Sequence, residues 1–461
     1  MIEIPEILPS SRRTFLGAVT AASYSRVLGA NDRINIGFIG CGLIGLRHIA
    51  DFKTLPDAAL TAVSDVYQPR VDNAQAMCGS NPKGYQDFRK LLDDKNVDAV
   101  IISTPDHWHA LATIMACAAG KDVYVEKPMT VFIKEGRWMT SAARKYKRIC
   151  ITGTQGRSGT HMKEVQALMA QNYAGKIHTV RFSSYRNIMP GFGRPADCEP
   201  LPGLDYDLWL GPAPKRPYNP NRVIYHFRWF WDYSGGQMTN LGAHDLDLVH
   251  FLMKVQSPKS VYSAGGRFAL EDNGETPDTQ DAIFEYPGFT VEGSLREASG
   301  GRPRGGGAGT AASLAGVQFC GTKGILAASR SGYEFAPDMQ IAPERGIPAW
   351  SNPPGHPKAA DLQPKPYAEA RKGAGDSPEP MIHHARHFLE CIRTRQRPIS
   401  DVEDGHHVSV ACHLANLSMK LGRALKWDAV KEEVIGDREA NALLVRPYRK
   451  PWDDVLRSFK L

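Results

Sequence analysis

The groups able to do chemistry cluster first around glycines. Gly40-Cys41-Gly42-Leu43-Ile44-Gly45 follows a short apolar run, Ile34–Ile39, and opens an amphipathic stretch, Ile44–Leu55. Between a strand and a helix this spacing suits a dinucleotide: Gly40 permits the tight turn, Gly42 lets backbone approach a pyrophosphate, and Gly45 lets helix and strand pack closely. The N–H groups and dipole of the helix start then favour the diphosphate charge. Asp65 stands at the end of the next apolar run, Ala59–Ser64, where a carboxylate accepts both ribose hydroxyls and repels a 2′-phosphate. NAD is expected over NADP, with Arg70 near enough to blur the preference. Two further groups follow apolar runs: Ser103-Thr104-Pro105-Asp106-His107-Trp108-His109 after Asp98–Ser103, and Glu126-Lys127-Pro128 after Asp122–Val125. Ligands of open α/β sheets bind at such strand ends. Thr104, Pro105, His107, His109, Glu126 and Lys127 therefore join Cys41, Leu43 and Ile44 as expected lining of the cofactor cleft.

The elements that must position these groups alternate strand and helix up to about Thr152. That pattern predicts an α/β class, with an N-terminal Rossmann domain over residues 31–155 built on a parallel sheet. After Gln155, strands follow one another without helices between: Ile177–Tyr185, Ser260–Phe268, Asp281–Tyr286, Phe289–Leu295 and Val317–Phe319. Residues 156–461 are expected to form a C-terminal α+β domain on a large, mostly antiparallel open sheet. Within it, Gly300–Gly309 reads as a loop. Pro337–Pro380, with ten of the 32 prolines, reads as an extended arm. The tail from Arg446 to Trp452 is expected along the surface. Residues 1–30 differ from the rest: Ser11-Arg12-Arg13-Thr14-Phe15-Leu16 precedes a mildly apolar run and Gly29-Ala30. They resemble a twin-arginine export signal, which implies a periplasmic or otherwise exported protein, or a cytoplasmic one if the segment is only a basic leader.

From about Arg33 onward the chain resembles the Gfo/Idh/MocA oxidoreductases. The resemblance lies in the first-strand glycine motif, the Thr-Pro turn with His109, Glu126-Lys127-Pro128, and the run from Gly235 to Asp247 (GGQMTNLGAHDLD). It implies oxidation or reduction of a sugar, cyclitol or glycoside, and homo-oligomers packed through the C-terminal sheet. It also implies that Lys127 contacts the substrate hydroxyl and the nicotinamide, that Pro128 follows a cis bond, and that His244 takes the hydroxyl proton. Asn240 stands where many members carry Asp, so a simple Lys–Asp relay is in doubt here. Asp247, one turn beyond His244, is expected to orient the imidazole or bind substrate. Tyr185, Arg186, Tyr225, Arg228 and Trp231 are substrate candidates, although the aromatic stretch Tyr225–Asp232 serves equally well as core or subunit interface.

Physical chemistry supports the two catalytic assignments independently. A hydroxyl that gives up hydride must also lose its proton to a base within hydrogen-bond reach, and a lysine cation stabilises the developing alkoxide. Two functions follow. One is NAD-dependent oxidation of a sugar or glycoside hydroxyl. The other is a redox-neutral glycosidase or lyase working through a transient 3-keto sugar, as in the NAD-dependent α-N-acetylgalactosaminidases that this family includes, with Tyr185 or Tyr225 removing the C2 proton. Export bears on the choice, because a compartment without free NAD demands tightly bound cofactor.

Composition excludes other classes. The net charge of +7 is spread over 56 basic and 49 acidic residues, too thinly for nucleic acid. No run of about 18 apolar residues predicts a membrane span. The eight cysteines form no CxxC, and His383, His384 and His387 read as a polar helix face, so no metal is expected.

Overall fold

The computed structural model describes residues 33–298, 316–340, 365–375 and 380–461. The export-signal reading, the Gly300–Gly309 loop and most of the 337–380 arm lie outside these residues. β1 (Ile34–Ile39), β2 (Ala58–Ser64), β3 (Lys83–Tyr85), β4 (Ala99–Ile102), β5 (Asp122–Val125) and β6 (Cys150–Thr152) form one parallel sheet in the order β3-β2-β1-β4-β5-β6. All four residues of β4 and all four of β5 are buried, as a sheet covered by helices on both faces requires. The strand order reverses between β1 and β4, which opens a crevice at their carboxyl ends.

The second sheet has ten strands: β7 (Ile177–Tyr185), β8 (Ser260–Gly266), β9 (Thr279–Tyr286), β10 (Phe289–Arg296), β11 (Val317–Gly321), β12 (Gly324–Ser329), β13 (Gly332–Pro337), β14 (Arg371–Ala374), β15 (Leu425–Asp428) and β16 (Glu433–Val434). They lie in the order β14-β13-β12-β11-β7-β10-β9-β8-β15-β16. Only β7 and β10 run parallel among the described pairs; the rest are antiparallel. β9 alternates buried and exposed residues along its length, so one sheet face packs under the helices Gly242–Met253 and Val402–Leu421 and the other is open. Arg371–Ala374, inside the expected arm, is instead an edge strand paired with β13.

Two segments of the C-terminal half complete the first domain's core. The helix Pro380–Thr394 sets Phe388, Leu389 and Ile392 against Ile36, Phe38 and Tyr124. The tail does not run along the surface: Trp452 is buried edge-on to Trp108, their ring centroids 4.8 Å apart, and Tyr448 is buried beside it. The prolines punctuate this segment, but its aromatic rings supply the apolar area that docks it. The Tyr448 hydroxyl donates to the buried Glu135 carboxylate at 2.8 Å. Tyr448→Phe removes that donor and should cost about 1–3 kcal/mol of unfolding free energy. Urea denaturation checks this, and an unchanged midpoint would contradict the docking role.

Candidate active site

The glycine loop leaves β1 and feeds the helix Leu43–Lys53. Gly40 has φ +89°, and a Cβ there would lie 2.7 Å from the Ser103 carbonyl carbon. A Cβ on Gly45 would overlap the Gly40 carbonyl oxygen, so this helix and loop close only on glycine. Gly42 has open space before it, with Arg70 as its nearest neighbour at 3.6 Å, while Leu43 is 79% exposed at the mouth of the crevice. Cys41 points inward, and its N–H donates to Asp65 Oδ2 at 2.8 Å. The Tyr67 N–H donates to Asp65 Oδ1 at 3.0 Å. Burial pushes the Asp65 carboxyl up, and Arg70 and these two N–H groups oppose that shift.

One cavity collects Gly40, Gly42, Leu43, Ile44, Asp65, Arg70, Thr104, Pro105, His109, Glu126, Lys127, Tyr225, Arg228, Asn240 and His244 from the sequence-based candidates. Ser103 Oγ and Thr104 Oγ1 are buried along its wall without protein partners. A dinucleotide fits these features: the open side of Gly42 admits a pyrophosphate, Asp65 keeps lone pairs for ribose hydroxyls, and the two orphan hydroxyls await polar atoms.

At the inner end, Glu126 is locked rather than free. Its carboxylate meets His48 Nε2 at 2.7 Å and Gln155 Nε2 at 2.7 Å, and accepts the Lys127 N–H at 3.1 Å. Burial raises this carboxyl, but the His48 bond and the neighbouring cation hold it lower than usual. The Lys127–Pro128 bond is cis. The Lys127 ammonium, buried in the cleft, donates to Asn240 O at 3.0 Å and to Asn240 Oδ1 at 2.9 Å. Burial lowers its pKa to about 8, against Glu126 and Asp106, which raise it; Arg330 and Arg228 lower it further. His244 sits in the first turn of the helix Gly242–Met253. Burial, then Lys127 and Arg330, hold it well below the usual imidazole range, so it is a neutral base at pH 7.

Asn240 is one link of a chain. Its Nδ2 donates to Gln237 Oε1 at 3.0 Å, and Gln237 Nε2 donates to Glu297 Oε1 at 2.6 Å. Lys127 can only donate and an ionised Glu297 can only accept, so the two ends together fix the orientation of both amides. The carboxylate absent at position 240 is thus present two amides away.

Seven candidates are absent from the cavity lining: Cys41, whose side chain is buried beneath the loop, Gly45, which packs on the Gly40 carbonyl, and five others. His107 is buried between the Trp209 and Tyr233 rings, with Nε2 2.9 Å from the Trp209 carbonyl; the helical turn that aims Asp106 at the cleft aims His107 away from it. The Tyr185 hydroxyl donates to Ser294 Oγ at 2.9 Å, across the parallel β7–β10 pair. Arg186 is spent on Glu297, its Nε donating at 2.8 Å. Trp231 is covered by the Lys420 ammonium, 3.4 Å from its ring centre. Asp247 is absent from the cleft lining, and its carboxylate is taken up in a buried pair with Arg157 at 2.8 Å, so it is not free to orient His244. Of the three histidines of Pro380–Thr394, His384 departs from a polar face: it is buried between Thr152 O and Ser158 Oγ.

Sequence reasoning missed Asp106, Gln155 and Arg330. Asp106 lay within the quoted Thr-Pro turn, and its carboxylate takes the Ser234 hydroxyl. Arg330 occupies the turn between β12 and β13, with Nη2 2.9 and 3.0 Å from the two His244 ring nitrogens. Nothing in a hairpin turn announces that contact. Among the described residues no group of three metal-ligating side chains converges, and no helix is long and apolar enough to cross a membrane.

Comparison with known proteins matches residues 34–154 to the Gfo/Idh/MocA oxidoreductase family's NAD-binding Rossmann fold, and residues 194–265 and 368–454 to that family's C-terminal alpha/beta domain. Myo-inositol 2-dehydrogenase of Thermotoga maritima is 28% identical over 250 residues, 54% of this chain and 64% of that protein. A glycosyl hydrolase family 109 protein of a Shewanella species (strain W3-18-1) is 29% identical over 154 residues, 32% of this chain and 34% of that protein. Each alignment thus spans less than two thirds of the relative. The fold resembles the crystal structure of aldose-aldose oxidoreductase from Caulobacter crescentus complexed with glycerol, with TM-score 0.61 and 18% identity, over 86% of this chain and 99% of that chain.

Proposed function

The chain belongs to the Gfo/Idh/MocA family of oxidoreductases, and from that premise we propose that it oxidises a hydroxyl of a sugar or glycoside with NAD. One observation carries the reading: a neutral imidazole and a lysine ammonium face the same cavity as the glycine loop. Gly40, Gly42 and the start of the helix Leu43–Lys53 would hold the diphosphate of NAD, and Asp65 its ribose. Bound NAD supplies the hydride acceptor. His244 takes the hydroxyl proton as the carbon–hydrogen bond breaks, and Lys127 holds the oxygen as it gains charge. Asn240 keeps Lys127 in place through two hydrogen bonds.

The two pKa shifts set the pH profile of oxidation. His244 must be neutral, and its pKa lies well below 6.5, so the acid limb falls below pH 6.5. Lys127 must be charged, so kcat/KM should decline as pH rises through about 8. Lys127→Arg should carry that alkaline limb to higher pH. An alkaline limb that stays in place in this variant would remove Lys127 from the profile.

The redox-neutral alternative has its own support in the family 109 relative and in Tyr225, which lines the cavity and remains the candidate C2 base. Tyr185 leaves that role because Ser294 holds its hydroxyl. Export through the twin-arginine pathway would favour tightly held NAD and such chemistry. Purified protein given nitrophenyl glycosides and free sugars separates the two: stoichiometric NADH from added NAD supports oxidation, and turnover without added NAD and without net NADH supports the alternative. We further propose a homo-oligomer through the open face of the ten-stranded sheet, where Tyr262 is 49% and Ile283 53% exposed.

A further inference from the structure

The inner end of the cleft carries more fixed positive charge than its own carboxylates answer. Lys127, Arg228 and Arg330 line it, facing Glu126 and Asp106. Both acids are already engaged, Glu126 by His48, Gln155 and the Lys127 N–H, and Asp106 by the Ser234 hydroxyl. Burial also pushes the Asp106 carboxyl up, toward its neutral form.

Neither arginine has a carboxylate at ion-pair distance among the described residues; Asp245 is near enough to Arg330 to feel its charge, but burial pushes that carboxyl up to about 7. Arg228 Nη1 donates to the Tyr225 carbonyl at 2.6 Å, and its guanidinium lies 4.4 Å from the Tyr225 ring centre and 5.0 Å from that of Phe227. Arg330 rests against His244. Among the described residues neither forms an ion pair, whereas Arg157, Arg186 and Arg395 each meet a carboxylate. Arg228 is fixed by stacking and Arg330 by its contact with the His244 ring nitrogens, and guanidinium groups so held with no acid in contact are pre-organised for an anion. The cofactor does not supply one there. Its phosphates belong at the glycine loop, and an oxidised nicotinamide adds positive charge.

We propose that Arg228 and Arg330 form a carboxylate subsite and that the substrate is a sugar acid, a uronate or uronoside whose reacting hydroxyl lies between Lys127 and His244. The assignment rests on the reading of the cleft as sugar-oxidising. A planar carboxylate matches the guanidinium fork, and a phosphate ester shares the charge, so both enter the test.

Glucuronate, galacturonate and mannuronate are compared with the corresponding neutral hexoses and hexose 6-phosphates by NADH formation. Uronates should exceed neutral hexoses in kcat/KM by about 10- to 100-fold, the range of charge-assisted hydrogen bonds. Arg228→Met and Arg330→Met should each pull that ratio toward one. Calorimetric titration of the NADH-loaded protein with the same sugars reads the subsite without turnover, and uronate binding should weaken in both variants and with added salt. Uronate binding without oxidation of any sugar would keep the subsite and overturn the oxidation reading. Oxidation of neutral hexoses with no preference for uronates, preference for the phosphates, or equal losses for acid and neutral sugars in the variants would overturn the subsite.

Discussion

His244→Gln should lower kcat for sugar oxidation by about 10²- to 10⁴-fold, the usual worth of a positioned general base, while NADH still binds. On the proposed reading the imidazole is the base; it lines the cavity and is held neutral by burial and by two neighbouring cations. Gln keeps a polar side chain but cannot take a proton. Lys127→Met should cost a comparable factor for a different reason, since the ammonium stabilises negative charge on the oxygen and does not remove the proton. The two variants separate on pH. His244→Gln should lose the acid limb of the residual activity, and Lys127→Met the alkaline limb near 8. Melting temperature and NADH fluorescence check that fold and nucleotide site survive. Residual rates within a few-fold of the unmodified protein would end the assignment of that residue.

Glu297 is the site of the second large effect, although it lines no part of the cavity. Its buried carboxylate accepts from Gln237 Nε2 at 2.6 Å, Trp229 Nε1 at 2.5 Å and Arg186 Nε at 2.8 Å. Glu297→Ala strands all three donors and should cost about 3–5 kcal/mol of stability, the usual penalty for leaving a buried ion unpaired. Glu297→Gln is the informative variant. A Gln side chain can present its N–H to Gln237, which frees that amide to turn and with it Asn240. Lys127 would then face an N–H in place of Oδ1. The expected signature is a fall in kcat with KM little changed, together with a downward shift of the alkaline limb as Lys127 loses an acceptor. A merely structural role would lower stability and leave the pH profile where it was. Asn240→Asp, which puts a carboxylate beside Lys127, should move the same limb upward.

The readable parts of this molecule were the local ones. The glycine loop, Asp65 and Lys127 each sit within a few residues of a strand end, and strand-to-helix alternation is enough to place them on one crevice. Non-local partners had no such signal. Arg330 reaches His244 from a hairpin turn 86 residues away, and Glu297 reaches Asn240 only through Gln237. Asp247 illustrates the opposite error. One helical turn beyond His244 places Asp247 near it, yet the carboxylate is engaged by the buried Arg157 rather than by the imidazole. The strands β12 to β14 are not marked by the sequence, because short, Gly-containing runs carry little period, and pairing with β11 and one another decides them. The sequence pattern marks Ile382–Arg393 as a helix but does not say that its apolar face closes the first domain's sheet.

The central claim is hydride transfer from a sugar carbon to NAD with His244 as base. The direct measurement is a single turnover of NAD-loaded protein with sugars deuterated at the ring carbons, followed by mass analysis of the extracted nucleotide. The account predicts deuterated NADH within the first turnover and its near absence in His244→Gln. Unlabelled nucleotide with every sugar, or equal labelling in the variant, would contradict it.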